Sequence, residues 1–490
     1  MFDLSKKKIL LWIEADLVHF FISYYLKDIR DSDFYAIIDI TNRPKRFFQE
    51  QKLVPFKKIW FFHDHIKFDK KPDLQFLSTF EEKYDINLWK LAINEKSFYR
   101  FSNFHKFNDN EILSIQEHTC KFFEEVLDEV KPDSIITKDL VMTHHLEIFN
   151  ELCKTKGLNV LMLTIPKIGF RCMISDQLEK ISLKKDFENI LGKNRDIKEL
   201  KGFLESHSSR KQIKNFDIGK SFLQEMNSIK TFEKNNNYSN YGKTKNKLFF
   251  SLVKSVLREK YRRRFINTNL VNDVNYNCKF AYFPLGVDIG KEILISAPFY
   301  TNQIEIIRHI AKSLPVEYRL YVKEHPSSII HDWRTVSEYK EIVKIPNVTL
   351  IHPSVESKKL YENCSLVFSI SGSAGLEATF FQIPSIVFSE QMFNILPSVF
   401  RVEDVEQLPL MIKTALETKV MINDLDRYLT FIEKNTFNFD WFGLLVDIRK
   451  KFYFNKMPFD TDISYQEIEL FLKENEEKLK MLAGEFSKKI

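Results

Sequence analysis

The sequence predicts an α/β protein built from two doubly wound, Rossmann-like domains. Short apolar runs alternate with charged, helix-compatible segments before residue 180 and again after residue 276. This alternation is typical of parallel βαβ units. Between the two halves, residues 181–275 are rich in Lys, Asn and Ser. At 490 residues the chain is too long for one ordinary core, so more than one domain is expected.

In the N-terminal half, a doubly wound domain is predicted over residues 1–180. Pro132 and Asp133 end a mostly helical segment and lead into the fourth strand, and Gly157 ends the helix before the fifth. The five predicted strands cover residues 7–13, 34–40, 58–63, 134–138 and 159–166.

The alternation resumes in a second predicted domain, residues 276–420. Its predicted strands cover residues 279–285, 292–298, 318–325, 347–353, 366–370 and 385–388. Its predicted helices cover residues 301–314, 336–343, 354–362 and 373–381. The tail, residues 421–490, is helical and aromatic and then highly charged. We expect it to pack across the domain junction, with its last turns in solvent.

The connecting segment, residues 181–275, contains a basic amphipathic helix at 248–265. One interpretation is contact with an anionic membrane or a phosphate-bearing acceptor. The other is an interdomain helix whose cations complement its own dipole. The predicted apolar face comprises Leu248, Phe249, Leu252, Val253, Val256 and Leu257, and the cations at its end are Arg258, Lys260, Arg262, Arg263 and Arg264.

Composition limits the classes of partner and the compartment. The net charge of +6 is compatible with an anionic ligand or membrane surface and too small to indicate nucleic acid binding. The five cysteines are widely spaced and never form CxxC, which favours a reducing compartment. No apolar run reaches the ~18–20 residues that span a bilayer. We therefore expect a cytoplasmic protein, with peripheral contact at the inner membrane surface as an additional expectation.

Several common catalytic motifs are absent from the sequence. It contains neither GxxxxGK[ST], GxGxxG nor GxSxG, so kinase and hydrolase functions receive no support. The pairs Asp31/Asp33 and Asp460/Asp462 fall in predicted loops without flanking ligands. No metal site is predicted.

The first positive signal is the segment Lys323-Glu324-His325-Pro326 at a predicted strand end. Ligands of open α/β sheets bind at the carboxyl edge of the strands, and Pro326 forces the chain to turn there. Lys323 and His325 are therefore candidates to contact a phosphate and to stabilise charge on a departing one. The alternative is that His325 is a structural turn residue.

The second signal is a Ser/Gly turn between a strand and a helix, followed by a glutamate. Small residues let backbone N–H groups approach an anion, and Glu377 is a candidate ribose contact. The alternative is tight helix–strand packing, with Glu377 as a partner of the helix dipole. The candidate nucleotide-binding residues of this turn are Ser369, Ser371, Gly372, Ser373, Gly375 and Glu377. His352, which precedes Pro353 at another predicted strand end, is a further candidate: it either lines the pocket for the base of the nucleotide or forms a turn.

These motifs resemble bacterial capsule and surface-polysaccharide biosynthesis proteins. The resemblance covers about residues 280–390 and includes APFYTNQIEIIRHIAKSLP, YVKEHP, PNVTLIHP and SGSAGLEA. It implies glycosyltransferases of GT-B architecture, with two facing Rossmann-like domains and the nucleotide-sugar held by the C-terminal one. Lys-x-His-Pro is similar to the His-Pro motif of bacterial sialyltransferases and Kdo transferases. In that family, His325 and Lys323 would contact the phosphate of a CMP-sugar without a metal or other cofactor.

The resemblance implies that the N-terminal domain holds a glycan or glycolipid acceptor and a carboxylate base. Deprotonating the attacking hydroxyl requires such a base within reach. Glu14 and Asp16 follow the first predicted strand, Asp64 with His63 and His65 follows the third, and Asp139 with His144 and His145 follows the fourth. N-capping is the alternative role for Asp16 and Asp139.

The sequence is also compatible with other functions. A CDP-polyol phosphotransferase of the teichoic-acid type has the same architecture and His-Pro pairs, and a UDP- or GDP-sugar transferase is a further alternative. Relatives often carry His where this chain has Gly286. That departure leaves open a non-catalytic nucleotide-sugar-binding or export-coupling protein of a capsule system.

Overall fold

The N-terminal sheet has seven strands in the order β13-β6-β5-β4-β1-β2-β3. Strands β1 to β5 are parallel, β6 pairs antiparallel with β5, and β13 pairs antiparallel with β6. The computed structural model describes residues 6–68, 71–99, 104–139, 143–175, 187–212, 218–288, 290–326, 334–453 and 460–490. The strands are β1 (Lys7–Glu14), β2 (Ser32–Asp39), β3 (Lys58–Phe61), β4 (Ser134–Thr137), β5 (Val160–Thr164), β6 (Arg171–Ser175) and β13 (Phe437–Asn438).

The C-terminal sheet has six parallel strands in the order β12-β11-β10-β7-β8-β9. This is the 3-2-1-4-5-6 order of a doubly wound sheet, whose topological switch lies between its first and fourth strands. The strands are β7 (Phe280–Pro284), β8 (Arg319–Lys323), β9 (Val348–Ile351), β10 (Leu366–Ser369), β11 (Ser385–Val387) and β12 (Val399–Arg401). The predicted pair of doubly wound, Rossmann-like domains is confirmed.

Helices cover both sheets and connect them. In the N-terminal half and the connecting segment they are α1 (Val18–Ile29), α2 (Asn42–Glu50), α3 (Phe62–His65), α4 (Leu74–Tyr84), α5 (Leu88–Asn94), α6 (Asp109–Val130), α7 (His144–Thr155), α8 (Ile197–Gln212), α9 (Ile218–Lys230) and α10 (Lys245–Asn269). In the C-terminal half they are α11 (Lys291–Leu294), α12 (Gln303–Ser313), α13 (Val336–Val343), α14 (Ser357–Asn363), α15 (Ala374–Thr379), α16 (Leu408–Glu417), α17 (Ile422–Asn435), α18 (Trp441–Tyr453), α19 (Tyr465–Glu474) and α20 (Glu476–Ser487). None of these described helices is both long and apolar enough to cross a membrane.

One predicted strand is wrong. Residues 292–298 form the end of the short helix α11 and a series of turns. Ile293 and Leu294 are nevertheless buried, and Ile293 packs into the core of the C-terminal domain. A short apolar run does not distinguish a strand from another buried segment.

The C-terminal tail returns to the N-terminal domain. Helix α17 packs with residues of the C-terminal domain, whereas α18 to α20 pack against the N-terminal sheet and α1. Leu482 and Phe486 are fully buried, so the prediction that the last turns lie in solvent is wrong. The predicted boundary at residues 180 and 181 lies outside the described residues.

The carboxyl edges of the two sheets face each other. Lys167, in the loop after β5, donates from Nζ to the carbonyl oxygen of Ser371, in the turn after β10, at 2.5 Å. Asn94 Nδ2 donates to the carbonyl oxygen of Pro298 at 3.3 Å. The loop after β5 and the turn after β10 therefore meet across the cleft between the two domains.

Candidate active site

Lys323 ends β8 as a buried side chain on the C-terminal side of the cleft. Its Nζ donates to Ser357 Oγ at 2.8 Å, and the Tyr282 hydroxyl donates to the same oxygen at 3.5 Å. Because a buried ammonium is costly without partners, Ser357 and Tyr282 fix the position of this charge.

The Ser/Gly turn holds Glu377 between two hydroxyl groups. Ser373 Oγ donates to Glu377 Oε1 at 2.6 Å, and the Tyr361 hydroxyl donates to Oε2 at 3.2 Å. Burial, followed by the charge of Glu377, raises the pKa of Tyr361 well above its ordinary value. Tyr361 also contacts the Tyr282 ring edge-on at 5.4 Å. Side-chain contacts through Tyr282 and Tyr361 therefore connect the two strongest predicted site residues, Lys323 and Glu377.

Ser369, Gly372 and Gly375 determine the conformation and packing of the Ser/Gly turn. The backbone N–H of Gly372 donates to Ser369 Oγ at 3.1 Å. A Cβ on Gly375 would lie 2.8 Å from Val387 Cγ1 and 3.2 Å from Phe393 Cε2. The absence of a side chain at Gly375 is thus explained by close packing of α15.

His325 is half-buried and follows an ion-paired carboxylate. Its backbone N–H donates to Glu324 Oε1 at 2.5 Å, and Arg334 Nη1 binds both Glu324 oxygens at 2.6 and 2.8 Å. Arg334 Nη2 also donates to the carbonyl oxygen of Gly286 at 2.7 Å and to Asp288 at 3.0 Å. This buried cluster fixes the Lys-x-His-Pro segment to the loop that follows β7.

His352 lies at the end of β9, the edge strand of its sheet. Its ring nitrogens contact Ser354 Oγ at 2.6 Å and Asn267 Oδ1 at 3.1 Å, and burial lowers its pKa. These contacts tie His352 to the end of α10 rather than to the Ser/Gly turn.

On the N-terminal side of the cleft, Glu14 and Asp16 share the ammonium of Lys138. Lys138 Nζ donates to Glu14 Oε2 at 2.6 Å and also binds Asp16, while Trp12 Nε1 donates to Glu14 Oε1 at 3.1 Å. Burial raises the pKa of Glu14 despite Lys138. Burial acts in the same direction on Asp16, but Lys138 outweighs it and lowers the pKa of that group. Two neighbouring carboxylates therefore differ in proton affinity.

A second N-terminal cluster centres on Asp39, which sequence reasoning missed. Asp39 Oδ1 accepts from His63 Nε2 at 2.7 Å and Oδ2 accepts from His145 Nε2 at 2.9 Å. His145 Nδ1 lies 2.7 Å from the Tyr238 hydroxyl. Burial opposes ionisation of Asp39, but the two histidines outweigh it and lower its pKa below the ordinary range. Asp64, a predicted base, instead pairs with Lys45 where both side chains are partly exposed.

A cavity of about 300 Å³ lies between the domains beside this cluster. His144 lines it as a buried side chain whose Nε2 has no hydrogen-bond partner, while its Nδ1 lies 3.4 Å from Glu95 Oε2. Burial lowers the pKa of His144 although Glu95 opposes this. Further lining residues are Ile86, Asn87, Lys90, Leu91, Asn94, Glu147, Leu294, Ile295 and Pro298.

The fold and the facing strand edges define a two-domain, Rossmann-like α/β protein of the GT-B type. Residues 185–396 match the family model described as capsule polysaccharide biosynthesis protein. The resemblance seen in the sequence is thereby confirmed over this segment, which contains Lys323, His325 and Glu377. No curated protein matches the chain.

The chain is similar to solved structures of a sugar-nucleotide epimerase and of a transferase. The UDP-GlcNAc 2-epimerase of Methanocaldococcus jannaschii is 13% identical with a TM-score of 0.25, over 87% of this chain and 99% of that one. The β-Kdo 2,7-transferase KpsC of Thermosulfurimonas dismutans is 11% identical with a TM-score of 0.31, over 70% of this chain and 87% of that one.

Proposed function

We propose that this protein is a glycosyltransferase of capsule polysaccharide biosynthesis that transfers an acidic sugar of the Kdo or sialic acid type from a CMP-sugar. The observation that carries the proposal is the contact chain from Lys323 through Ser357, Tyr282 and Tyr361 to Glu377. It lies within the segment that matches the capsule family. Lys323 at the end of β8 and Glu377 on the helix after β10 lie on either side of the central strand β7. A cation and a carboxylate placed in this way suit the phosphate and the ribose of one nucleotide.

In this proposal each side of the cleft has a separate task. Lys323 and His325 stabilise the negative charge of the nucleotide as it leaves with the electron pair of the glycosidic bond. Glu14 accepts the proton of the acceptor hydroxyl whose oxygen bonds to the anomeric carbon. A carboxylate with a raised pKa is a better base near neutral pH, which favours Glu14 over Asp16 and over surface-paired Asp64. The chain's own side chains supply these roles without a metal.

The glycan or glycolipid acceptor is assigned to the interdomain cavity. Asn94, Lys90 and Glu147 offer polar groups for the acceptor around an apolar floor. Such a mixture of apolar surface and a few polar groups is typical of small-molecule sites.

Thermal-shift measurements with CMP, CDP, UDP and GDP test the donor, because a ligand that binds only the native state raises the melting temperature. We expect stabilisation by CMP, and release of CMP from CMP-Kdo or CMP-sialic acid when acceptors from cell extract are added. Stabilisation by CDP alone would identify the polyol phosphotransferase instead. Nucleotide binding without turnover of any of the donors would overturn the enzymatic assignment.

A further inference from the structure

Helix α10 has apolar side chains on two opposite sides. Leu252 and Ile266 are buried against the protein. Phe250, Leu257 and Tyr261 are 70%, 63% and 60% exposed. The six-residue apolar face predicted from the sequence is therefore not a buried packing face, because Phe249, Val253 and Leu257 are all exposed.

The spacing of these residues separates the two sides. At about 100° per residue, positions 250, 257 and 261 fall within about 40° of one another on one side of the helix. Leu252, Glu259 and Ile266, at intervals of seven residues, occupy the opposite side. Helix α9 packs against α10 but leaves Phe250, Leu257 and Tyr261 open to solvent. We call these three residues the exposed stripe.

Cations border the exposed stripe. Lys247, Lys254 and Arg258 lie along one border, and Lys260 and Arg264 lie along the other; all five are exposed. Glu259 is the one acidic residue in the sequence of the helix. It lies on the opposite side, where its Oε1 accepts from Arg263 at 2.6 Å.

We propose that the exposed stripe docks the protein onto an anionic phospholipid surface. An aromatic and aliphatic stripe bordered by cations matches the boundary between acyl chains and anionic headgroups. Each Lys or Arg near such a surface adds favourable electrostatic energy. A protein partner would have to present an acidic rim around an apolar groove, whereas an anionic bilayer presents both features at once. The docking proposal does not depend on the donor or on turnover.

Co-sedimentation of the full chain with vesicles tests the proposal. We expect binding to phosphatidylglycerol/phosphatidylcholine vesicles, weak binding to pure phosphatidylcholine, and loss of binding as salt is raised. Phe250→Ser with Leu257→Ser is expected to reduce the affinity by roughly tenfold or more per side chain. Lys254→Gln and Lys260→Gln are each expected to reduce it by about fivefold.

Leu410→Ser is the matched control, because Leu410 is 69% exposed on α16. Its vesicle binding should equal that of the wild type, and the melting temperatures of all variants should remain unchanged. Wild-type protein that fails to sediment with anionic vesicles overturns the proposal, as does a Phe250/Leu257 double variant that binds normally. Self-association that the double variant abolishes, without any vesicle binding, would mean that a second copy covers the stripe.

Discussion

Lys167 Nζ reaches across the cleft to the carbonyl oxygen of Ser371 at 2.5 Å and to Gln391 Oε1 at 2.9 Å. The backbone of Lys167 has φ of 61°, a left-handed conformation that costs a non-glycine residue of order 1 kcal/mol. The surrounding contacts hold it there. Lys167 therefore couples the N-terminal domain to the turn that carries Ser373 and Glu377.

Lys167→Met should weaken nucleotide binding by about tenfold, because it removes hydrogen bonds from a charged donor that are worth roughly 1.5 kcal/mol or more. Isothermal titration with CMP measures this loss. Lys131→Met is the matched control, since Lys131 also has positive φ, of 49°, but is exposed at the end of α6. Equal affinities for the two variants would show that the contact with Ser371 does not support the nucleotide site.

Glu377→Gln and Glu377→Ala should reduce CMP affinity by at least tenfold, since the charged acceptor for the ribose hydroxyls is lost. Ser373→Ala should cost less, because the carboxylate remains and loses only one orienting donor. His325→Ala should abolish binding if His325 makes the phosphate contact that we propose. Glu362→Gln, on the exposed side of neighbouring α14, is the control. Unchanged calorimetric affinity in the Glu377 and His325 variants, with normal melting, would refute this site assignment.

The sequence was most informative where the signal is local. Lys323 lies at the end of one predicted strand and Glu377 in the helix that follows another. Both were predictable because parallel strands bring their carboxyl ends to one edge. By the same rule Asp39 was identifiable, because it ends β2 and is the register partner of Glu14. The sequence also places His145 after the fourth predicted strand, but it does not indicate the contact of His145 with Asp39, which is 106 residues away in sequence.

Long-range packing explains the remaining differences. Lys167 contacts Ser371 because the two domains face each other. The residues around Lys167 in the sequence do not indicate this contact between domains. The terminal helix α20 is charged along one side, which resembles a solvated tail, yet Leu482 and Phe486 on its other side complete the N-terminal core. Residues 292–298 are apolar enough for a strand, but Ile293 and Ala297 instead pack against the core of the C-terminal domain from a short helix and a turn.

As the pH is lowered, the activity should fall when Glu14 becomes protonated. This fall should occur at a higher pH than the pKa of an ordinary carboxyl group, because burial raises the pKa of Glu14. Asp16→Asn should move this acid limb to lower pH. The substitution removes a neighbouring negative charge that raises the pKa of Glu14, and it leaves Lys138 to Glu14 alone. Lys138→Met should move the limb to higher pH, because it removes the cation that lowers that pKa. The pH profile of kcat/KM measures both shifts.

Glu14→Gln distinguishes a loss of the catalytic base from a loss of nucleotide binding. We expect transfer to fall by about 10² or more with CMP affinity unchanged, because Glu14 lies on the other side of the cleft from Lys323 and Glu377. Shifts of the acid limb in the same direction for Asp16→Asn and Lys138→Met would contradict Glu14 as the base. Full activity of Glu14→Gln would do so as well.

Arg334→Met should destabilise the C-terminal domain by about 3–5 kcal/mol, because it leaves the buried carboxylates of Glu324 and Asp288 without their cation. Burial opposes the charge of Arg334, but Glu324 and Asp288 outweigh it and raise its pKa, so the cation persists at every accessible pH. Adding Glu324→Gln and Asp288→Asn to Arg334→Met should recover part of the loss, since no unpaired buried charge remains. Melting temperatures measure the series. If Arg334→Met melts like the wild type, the buried cluster does not hold the loop after β7 against the Lys-x-His-Pro segment.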